Sequence, residues 1–309
     1  MSNAIEIKDL FKQYQTGHKA LKGITLNVKQ GDFFALLGPN GAGKSTTIGI
    51  LNSLVIKSSG SVKIFDYDID TDFSKAKSLV GVVPQEFNFG SFVKVKDVVA
   101  TQAGFYGIPR KTALERTEFY LKALGLWEKR DVQSMRLSGG MKRRLMIARA
   151  MIHEPKLLIL DEPTAGVDIE MRRSMWSFLK QVNAKGTTII LTTHYLEEAE
   201  NLCRNIAIID HGEIIQNSSM KSLLSQLEEE TFIFDHQGDI NGALEGLPFE
   251  INIIDQKSFS VSLNKAQSLN QVFNRFNEMG INVLSMRNRA NRLEELFVRL
   301  VEKEKNHAI

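Results

Sequence analysis

The stretch Phe33-Phe34-Ala35-Leu36-Leu37-Gly38-Pro39-Asn40-Gly41-Ala42-Gly43-Lys44-Ser45-Thr46 decides the fold. Its first five residues are apolar without alternation, the pattern of a strand buried on both faces. Gly38 to Ser45 then match G-x-x-x-x-G-K-[ST], and the chain beyond Lys44 reads as a helix. Glycines at these positions let backbone N–H groups turn inward around a phosphate. The helix start adds about half a positive charge to the same spot. Lys44 is therefore expected to reach the β- and γ-phosphates of a nucleotide, and the Ser45 hydroxyl to ligate Mg²⁺, with Thr46 in the same turn. An ordinary glycine turn has no need of a buried strand before it and a helix after it.

Working outward, Ile5 and Ile7, then Ile24, Leu26 and Val28, alternate with polar residues and predict two strands before the loop. The opening residues Met1 to Ala4 are assigned no structural role. Strand patterns return at Val62 to Phe65 and Leu79 to Val83. Residues of about 90–150 change character: Lys96 to Tyr106, Lys111 to Leu124 and Met141 to Ile152 read as helices, broken by Gly107-Ile108-Pro109 and by Gly125. The strand–helix alternation then resumes with Leu157 to Leu160, Glu170 to Asn183 and Thr187 to Thr192. Ile206 to Asp210 and Glu213 to Gln216 flank His211-Gly212 as a hairpin. From about residue 221 short strand patterns (Phe232 to Phe234, Ile251 to Ile254, Phe259 to Leu263, Val283 to Met286) mix with two helical ones, Gln267 to Glu278 and Asn291 to Lys305. The expected domains are 4–220 and 221–309, the second a small α+β fold.

Leu157-Leu158-Ile159-Leu160-Asp161-Glu162 is an apolar strand ending in two carboxylates. Successive strand side chains point to opposite faces, so the two acids do different work. Asp161 at a strand end beside a phosphate loop suits Mg²⁺. Glu162 is the candidate base for an attacking water. Away from a phosphate loop the pair would be read as solvated carboxylates.

Leu137-Ser138-Gly139-Gly140-Met141, placed just before a helix, resembles the signature motif of ABC transporter nucleotide-binding subunits. The remaining motifs of that family follow in its order. Gln85 resembles the Q-loop glutamine, Thr164-Ala165-Gly166-Val167-Asp168 the D-loop, and His194 the switch histidine. Tyr14 resembles the aromatic that stacks on adenine. The resemblance covers roughly residues 4–218. It implies an α/β fold, a P-loop NTPase of ABC type with an inserted helical subdomain at about 90–150. It implies ATP and Mg²⁺ as cofactors, with Ser45, Gln85 and Asp161 at the metal. Lys44, Gln85, Glu162 and His194 are the implied catalytic set. Ser138, Gly139 and Gly140 would meet the γ-phosphate held by a second copy, in a head-to-tail dimer, and Asp168 of the D-loop is also expected to bind nucleotide.

Two departures stand out. Met141 replaces the commoner Gln, and Ala-Gly-Val-Asp replaces Ser-Ala-Leu-Asp. Both concern coupling rather than phosphate chemistry. Asn291-Arg292-Leu293-Glu294-Glu295-Leu296-Phe297 resembles the tail of export-type ATPases that pair with a separate six-helix permease. Leu293, Leu296, Phe297, Leu300 and Val301 follow helical spacing, with Asn291 and Glu294 as a capping pair.

The bulk numbers agree with such a subunit. The chain has 309 residues, 43% hydrophobic and 24% charged, enough for a core and more than one domain. A net charge of +3, from 39 basic and 36 acidic residues, is too even for a nucleic-acid partner. Lys142, Arg143 and Arg144 are accordingly read as a solvated helical turn. The single cysteine, Cys203, excludes an internal disulfide and is expected in the core. No apolar run approaches the ~18 residues that span a bilayer, and no leader is read at the N-terminus. The expectation is a cytoplasmic protein, peripheral on the membrane face, driving a permease supplied by another chain. A soluble non-transport ABC ATPase is disfavoured by the lone phosphate loop, and a GTPase by the lack of Asn-Lys-x-Asp. A non-catalytic ATP sensor is disfavoured by the presence of Glu162 and His194.

Overall fold

A computed structural model of the chain describes residues 2–227, 229–237, 247–264, 266–288 and 292–307. They group into two compact units divided between Met220 and Lys221.

In the first unit the strands are β1 (Asn3–Gln13), β2 (Lys19–Lys29), β3 (Phe33–Leu37), β4 (Ser59–Ile64), β5 (Tyr67–Asp68), β6 (Val80–Val83), β7 (Leu157–Asp161), β8 (Thr188–Thr192), β9 (Asn205–Asp210) and β10 (Glu213–Ser219). The helices are α1 (Lys44–Leu51), α2 (Phe73–Ser78), α3 (Val95–Phe105), α4 (Arg110–Ala123), α5 (Gly139–Met151), α6 (Ile169–Ala184) and α7 (Leu196–Leu202), with α8 (Met220–Leu224) at the division. Four strands form an antiparallel sheet in the order β2-β1-β4-β5, and six form a second in the order β10-β9-β3-β8-β7-β6. In the second sheet β9, β3, β8, β7 and β6 run parallel, and only β10 runs the other way.

Burial explains the strand patterns. All five residues of β3 are buried, as are Leu157 to Leu160 of β7 and every residue of β8. Strands of a buried parallel sheet carry continuous apolar runs, with polar Thr188 and Thr192 only at the ends of β8. β2 alternates instead, burying Ile24, Leu26 and Val28 against Ile5 and Ile7 of β1. One core joins both sheets to Ile48 and Leu51 of α1. The chain start takes part in it. Ala4 is fully buried and its carbonyl accepts from the Phe65 N–H at 3.0 Å, so the opening residues do carry structure, contrary to the sequence reading.

The helical segment holds the three expected helices. Gly107 at φ 68° and Pro109 separate α3 from α4, and Gly125 at φ 64° follows α4. Cys203 is buried as expected, and burial pushes its thiol pKa up.

The second unit holds β11 (Glu229–Gln237), β12 (Glu250–Ile253), β13 (Ser258–Asn264) and β14 (Asn282–Asn288), with α9 (Leu269–Glu278) and α10 (Arg292–His307). Its antiparallel sheet has the order β12-β13-β11-β14. α9 lays Val272 and Phe276 on Phe234 and Phe259, with the Phe276 ring edge-on to Phe234 at 5.3 Å. Ser268 and Gln271 cap α9 reciprocally. The expected capping residue of α10, Asn291, lies outside the described residues.

Candidate active site

In a parallel sheet the strand ends on one side converge on a crevice where ligands bind. Here the neighbours β3, β8, β7 and β6 deliver, side by side, the Gly38–Gly43 loop, His194, the Asp161–Glu162 pair and Gln85. Residues far apart in sequence meet because their strands are adjacent in this order.

The loop is tightly built. A Cβ on Gly38 would fall 2.1 Å from the Ile209 carbonyl oxygen, so β9 passes directly behind it. Gly43 caps α1 at φ 115°, a conformation that favours glycine. The Gly212 N–H of the β9–β10 turn donates to Ala42 O at 2.9 Å and supports the loop from below. Lys44 is buried, and its Nζ donates to Gly38 O at 2.7 Å and Pro39 O at 3.0 Å. Burial lowers the Lys44 pKa, and the Glu162 and Asp161 carboxylates oppose that shift. The lysine thus faces both acids. The Thr46 hydroxyl lies 3.3 Å from the Tyr14 hydroxyl, which brings the aromatic to the first turn after the loop. Tyr14 is 38% exposed, and Lys12 Nζ lies 4.9 Å from its ring centroid.

The acidic pair divides as alternation requires. Asp161 Oδ1 accepts from the Thr192 hydroxyl at 2.5 Å. Glu162 has a φ of 51°, uncommon for a residue with a side chain, and its N–H donates to Thr192 O at 3.0 Å. That turn carries its carboxylate to two partners. Gln85 Nε2 donates to Glu162 Oε2 at 3.0 Å, and His194 Nε2 lies 2.5 Å from Glu162 Oε1. Glu162 is therefore held from both sides by residues of the neighbouring strand ends.

Ser138, Gly139, Gly140 and Asp168 form a second cluster. Ser138 caps α5 by accepting from Met141 N at 3.3 Å, and Asp168 caps α6 by accepting from Met171 N at 2.9 Å. A Cβ on Gly140 would lie 2.3 Å from Met171 Sδ and 3.7 Å from Val167 Cγ1, so the two helix starts pack together. Gly139 opens onto free space.

Several residues here escape sequence reasoning. Arg143 is not solvated: it is 4% exposed and donates to Pro84 O and Gln85 O, both at 2.9 Å. Arg144 also turns inward, donating to Leu124 O at 2.7 Å. The reading of Lys142 to Arg144 as a solvated turn is therefore corrected. Buried Glu198 of α7 accepts from the Trp176 indole at 2.9 Å, and burial raises its pKa against that hydrogen bond. Nothing in the sequence separates Glu198 from Glu197 and Glu200.

Ser45, Gln85 and Asp161 offer oxygen donors only, the set that suits a hard cation such as Mg²⁺ arriving with nucleotide phosphates. Gln85 spends its amide nitrogen on Glu162, which leaves Oε1 as its ligating atom. The residues present thus fit the ion.

A profile of the family described as ABC transporter matches residues 21–165. The linearmycin resistance ATP-binding protein LnrL of Bacillus subtilis is 40% identical over 230 residues, 74% of this chain and 73% of the relative. The Nod factor export ATP-binding protein I of Ralstonia nicotianae is 36% identical over 221 residues, 72% of this chain and 68% of that one. Among solved structures, cbiO1 of Clostridium perfringens, part of the ABC transporter complex cbiONQ, superposes with a TM-score of 0.67 at 31% identity, covering 73% of this chain and 92% of the other. A dimeric ATP-binding cassette in a post-hydrolysis state with ADP and Pi gives a TM-score of 0.65 at 27% identity, covering 70% and 98%.

Proposed function

Because this chain belongs to the ABC transporter family as an ATP-binding subunit, and so is an ATPase, we propose that it hydrolyses ATP at two composite sites of a head-to-tail dimer and powers a separate export permease. The observation that carries this reading is the hydrogen-bonded set Gln85–Glu162–His194 beside Lys44 and the phosphate loop.

The chemistry follows from that set. The Gly38–Gly43 amides and Lys44 hold the β- and γ-phosphates, Lys44 exchanging its loop carbonyls for phosphate oxygens. The Tyr14 ring takes the adenine face. Ser45, Gln85 and Asp161 would hold Mg²⁺, which would neutralise charge on the phosphates. Glu162 accepts the proton of the attacking water, with His194 and Gln85 fixing its carboxylate. Ser138, Gly139 and Gly140 then meet the γ-phosphate bound by the partner copy, at the start of α5. The ATPase domain is 4–220 and the accessory domain 221–309.

Three observations support the permease and the direction. No helix among the described residues is long and apolar enough to cross a membrane, which is consistent with a separate translocating subunit. Leu54, 79% exposed, lines a hollow of about 290 Å³ that mixes apolar residues (Leu51, Val80, Val82) with polar ones (Asn88, Gln102, Arg149), and Phe105 next to the lining residue Tyr106 is 81% exposed, a surface suited to a partner. The relatives named for Nod factor export and linearmycin resistance favour export. Work on the cytoplasmic face of the membrane follows from that partnership.

Glu162→Gln tests the proposal. Glutamine keeps the size of glutamate but accepts no proton from water at neutral pH. ATP binding should survive while turnover falls by about 10²-fold or more. The lost negative charge beside the γ-phosphate should favour the ATP-bound dimer, seen by gel filtration. Turnover at the wild-type rate would place the base elsewhere.

A further inference from the structure

We propose that Arg143 is a positioning residue that ties the Ser138–Gly140 loop to the Gln85–Glu162 hydrogen bond, and so couples one nucleotide site of the dimer to the other. The inference rests on the composite-site reading above and adds to it a physical link between the two sites.

Arg143 lies five residues beyond the capping Ser138 on the same helix, a rise of about 7.5 Å. Its guanidinium meets two consecutive carbonyls, Pro84 O and Gln85 O, each at 2.9 Å. A planar fork with fixed donors can hold both at once, whereas an ammonium meets them as a point charge. The Phe87 ring closes over the guanidinium at 5.0 Å. Further along α5, Arg149 donates to Asn88 O at 3.1 Å and also reaches the Asn88 side chain. Two guanidiniums of one helix thus fasten residues 84–88 at both ends.

Burying a guanidinium is costly unless its donors are met and opposite charge is near. Here the opposite charge is near and both Nη atoms donate, while the buried Nε has no hydrogen-bond partner among the described residues. Burial draws the Arg143 pKa down, and the Glu162 and Asp161 carboxylates act against it. A side chain kept only to fill space would not need a cation this close to the acidic pair.

The mechanical consequence follows from rigidity. The Gln85 backbone is held by Arg143, and the Gln85 amide holds Glu162 at 3.0 Å. The other end of α5 is the loop that meets the partner's nucleotide. When that loop seats on phosphate, α5 carries Arg143, the Gln85 backbone and hence the Glu162 carboxylate with it. Occupancy of the partner's site then sets the geometry of the chain's own base.

The test uses the full-length chain with Arg143→Met and Arg143→Lys. ATP affinity is read by equilibrium titration and turnover against ATP concentration, with Glu162→Gln as control. Wild type should give a Hill coefficient approaching 2. Arg143→Met should bind ATP within about twofold of wild type, lose at least tenfold in kcat, and drop to a Hill coefficient near 1. Arg143→Lys keeps the charge and much of the packing, so it should fall between the two, and it decides the matter if the methionine variant does not fold. Wild-type kcat and Hill coefficient in the folded variants would overturn the proposal. So would a loss of kcat with the Hill coefficient kept, or a wild-type Hill coefficient of 1. If instead Glu162→Gln hydrolyses normally, the reading of Glu162 as the base falls, whatever Arg143 does.

Discussion

Two glycines separate folding from function at the level of single residues. A methyl on Gly38 would sit 2.1 Å from the Ile209 backbone oxygen, which has no rotamer with which to yield. Gly38→Ala should therefore cost more than about 3 kcal/mol and abolish ATP binding along with stability. A methyl on Gly139 meets nothing within 4 Å and its φ is ordinary. Gly139→Ala should leave stability within about 1 kcal/mol of wild type, because alanine also suits a helix start. If Gly139 faces the partner's phosphate, turnover should nonetheless fall at least tenfold, about 1.4 kcal/mol of transition-state stabilisation. Thermal melts and ATPase rates on both variants check the pair; unchanged turnover in Gly139→Ala would remove this loop from the composite site. The same contrast shows what is legible at this scale. Gly38, Lys44, Asp161 and Glu162 stand out because a phosphate loop and a strand ending in two acids are patterns of residue type, whereas Gln85 and His194 stand out only through the family resemblance. Arg143 stands out by neither route. Its neighbour Lys142 is equally basic and half-buried, and only the path of residues 84–88 across α5 decides which cation is enclosed.

At the level of elements, the long periodic helices of the inserted segment could be read directly, and the short ones could not. α2 has 6 residues and α7 has 7, too few for a helical period to declare itself. How elements are joined is equally hidden, and His153 is the clearest case. It follows the end of α5, stacks on Tyr106 beside the end of α3 at 3.7 Å with rings 4° from parallel, and its Nε2 lies 3.1 Å from Val80 O of β6. The sequence marks it as one histidine among six. Burial pulls its pKa down from 6.5 to about 4, with the Val80 carbonyl acting in the other direction. The sign is definite. Below pH 6.5 the unfolded chain takes up a proton that the folded chain refuses until about pH 4, so this contribution to stability is complete above pH 6.5 and drains away as the pH falls toward 4. The loss should be on the order of 1–3 kcal/mol, the lower end reflecting residual solvent contact. At about 2–4 °C per kcal/mol it is readable as a steeper fall of Tm between pH 6.5 and 4.5 in wild type than in His153→Gln. Parallel Tm curves for the two proteins would show that His153 takes up its proton in the fold as readily as out of it.

Across the whole molecule, the question is what the second unit contributes to the first. Every nucleotide motif lies before residue 200, on strands of the six-stranded sheet or helices beside it. The second unit has a separate core, built from Phe232, Phe234, Phe259, Val261, Leu263, Val272 and Phe276 around its own sheet. Short strand and helix patterns after residue 221 could be read in the sequence; the Ser268–Gln271 capping box of α9 and the strand order were not read from it, the latter because pairing across the sheet leaves no mark in local pattern. Each unit supplies its own apolar core, which is the condition for folding alone. Deleting residues 221–309 should therefore leave ATP affinity within about twofold, a change of roughly 0.4 kcal/mol. Circular dichroism should still report the mixed α/β fold of the first unit. Turnover per chain at high protein concentration should also persist if Ser138 and Glu162 suffice to build the composite site, since both belong to the retained unit. A fall in turnover that is recovered by raising the protein concentration would assign the second unit to dimer assembly. Loss of ATP binding by a truncated chain that remains folded would mean that the nucleotide site extends past residue 220, and that the division into an ATPase domain and an accessory domain is wrong.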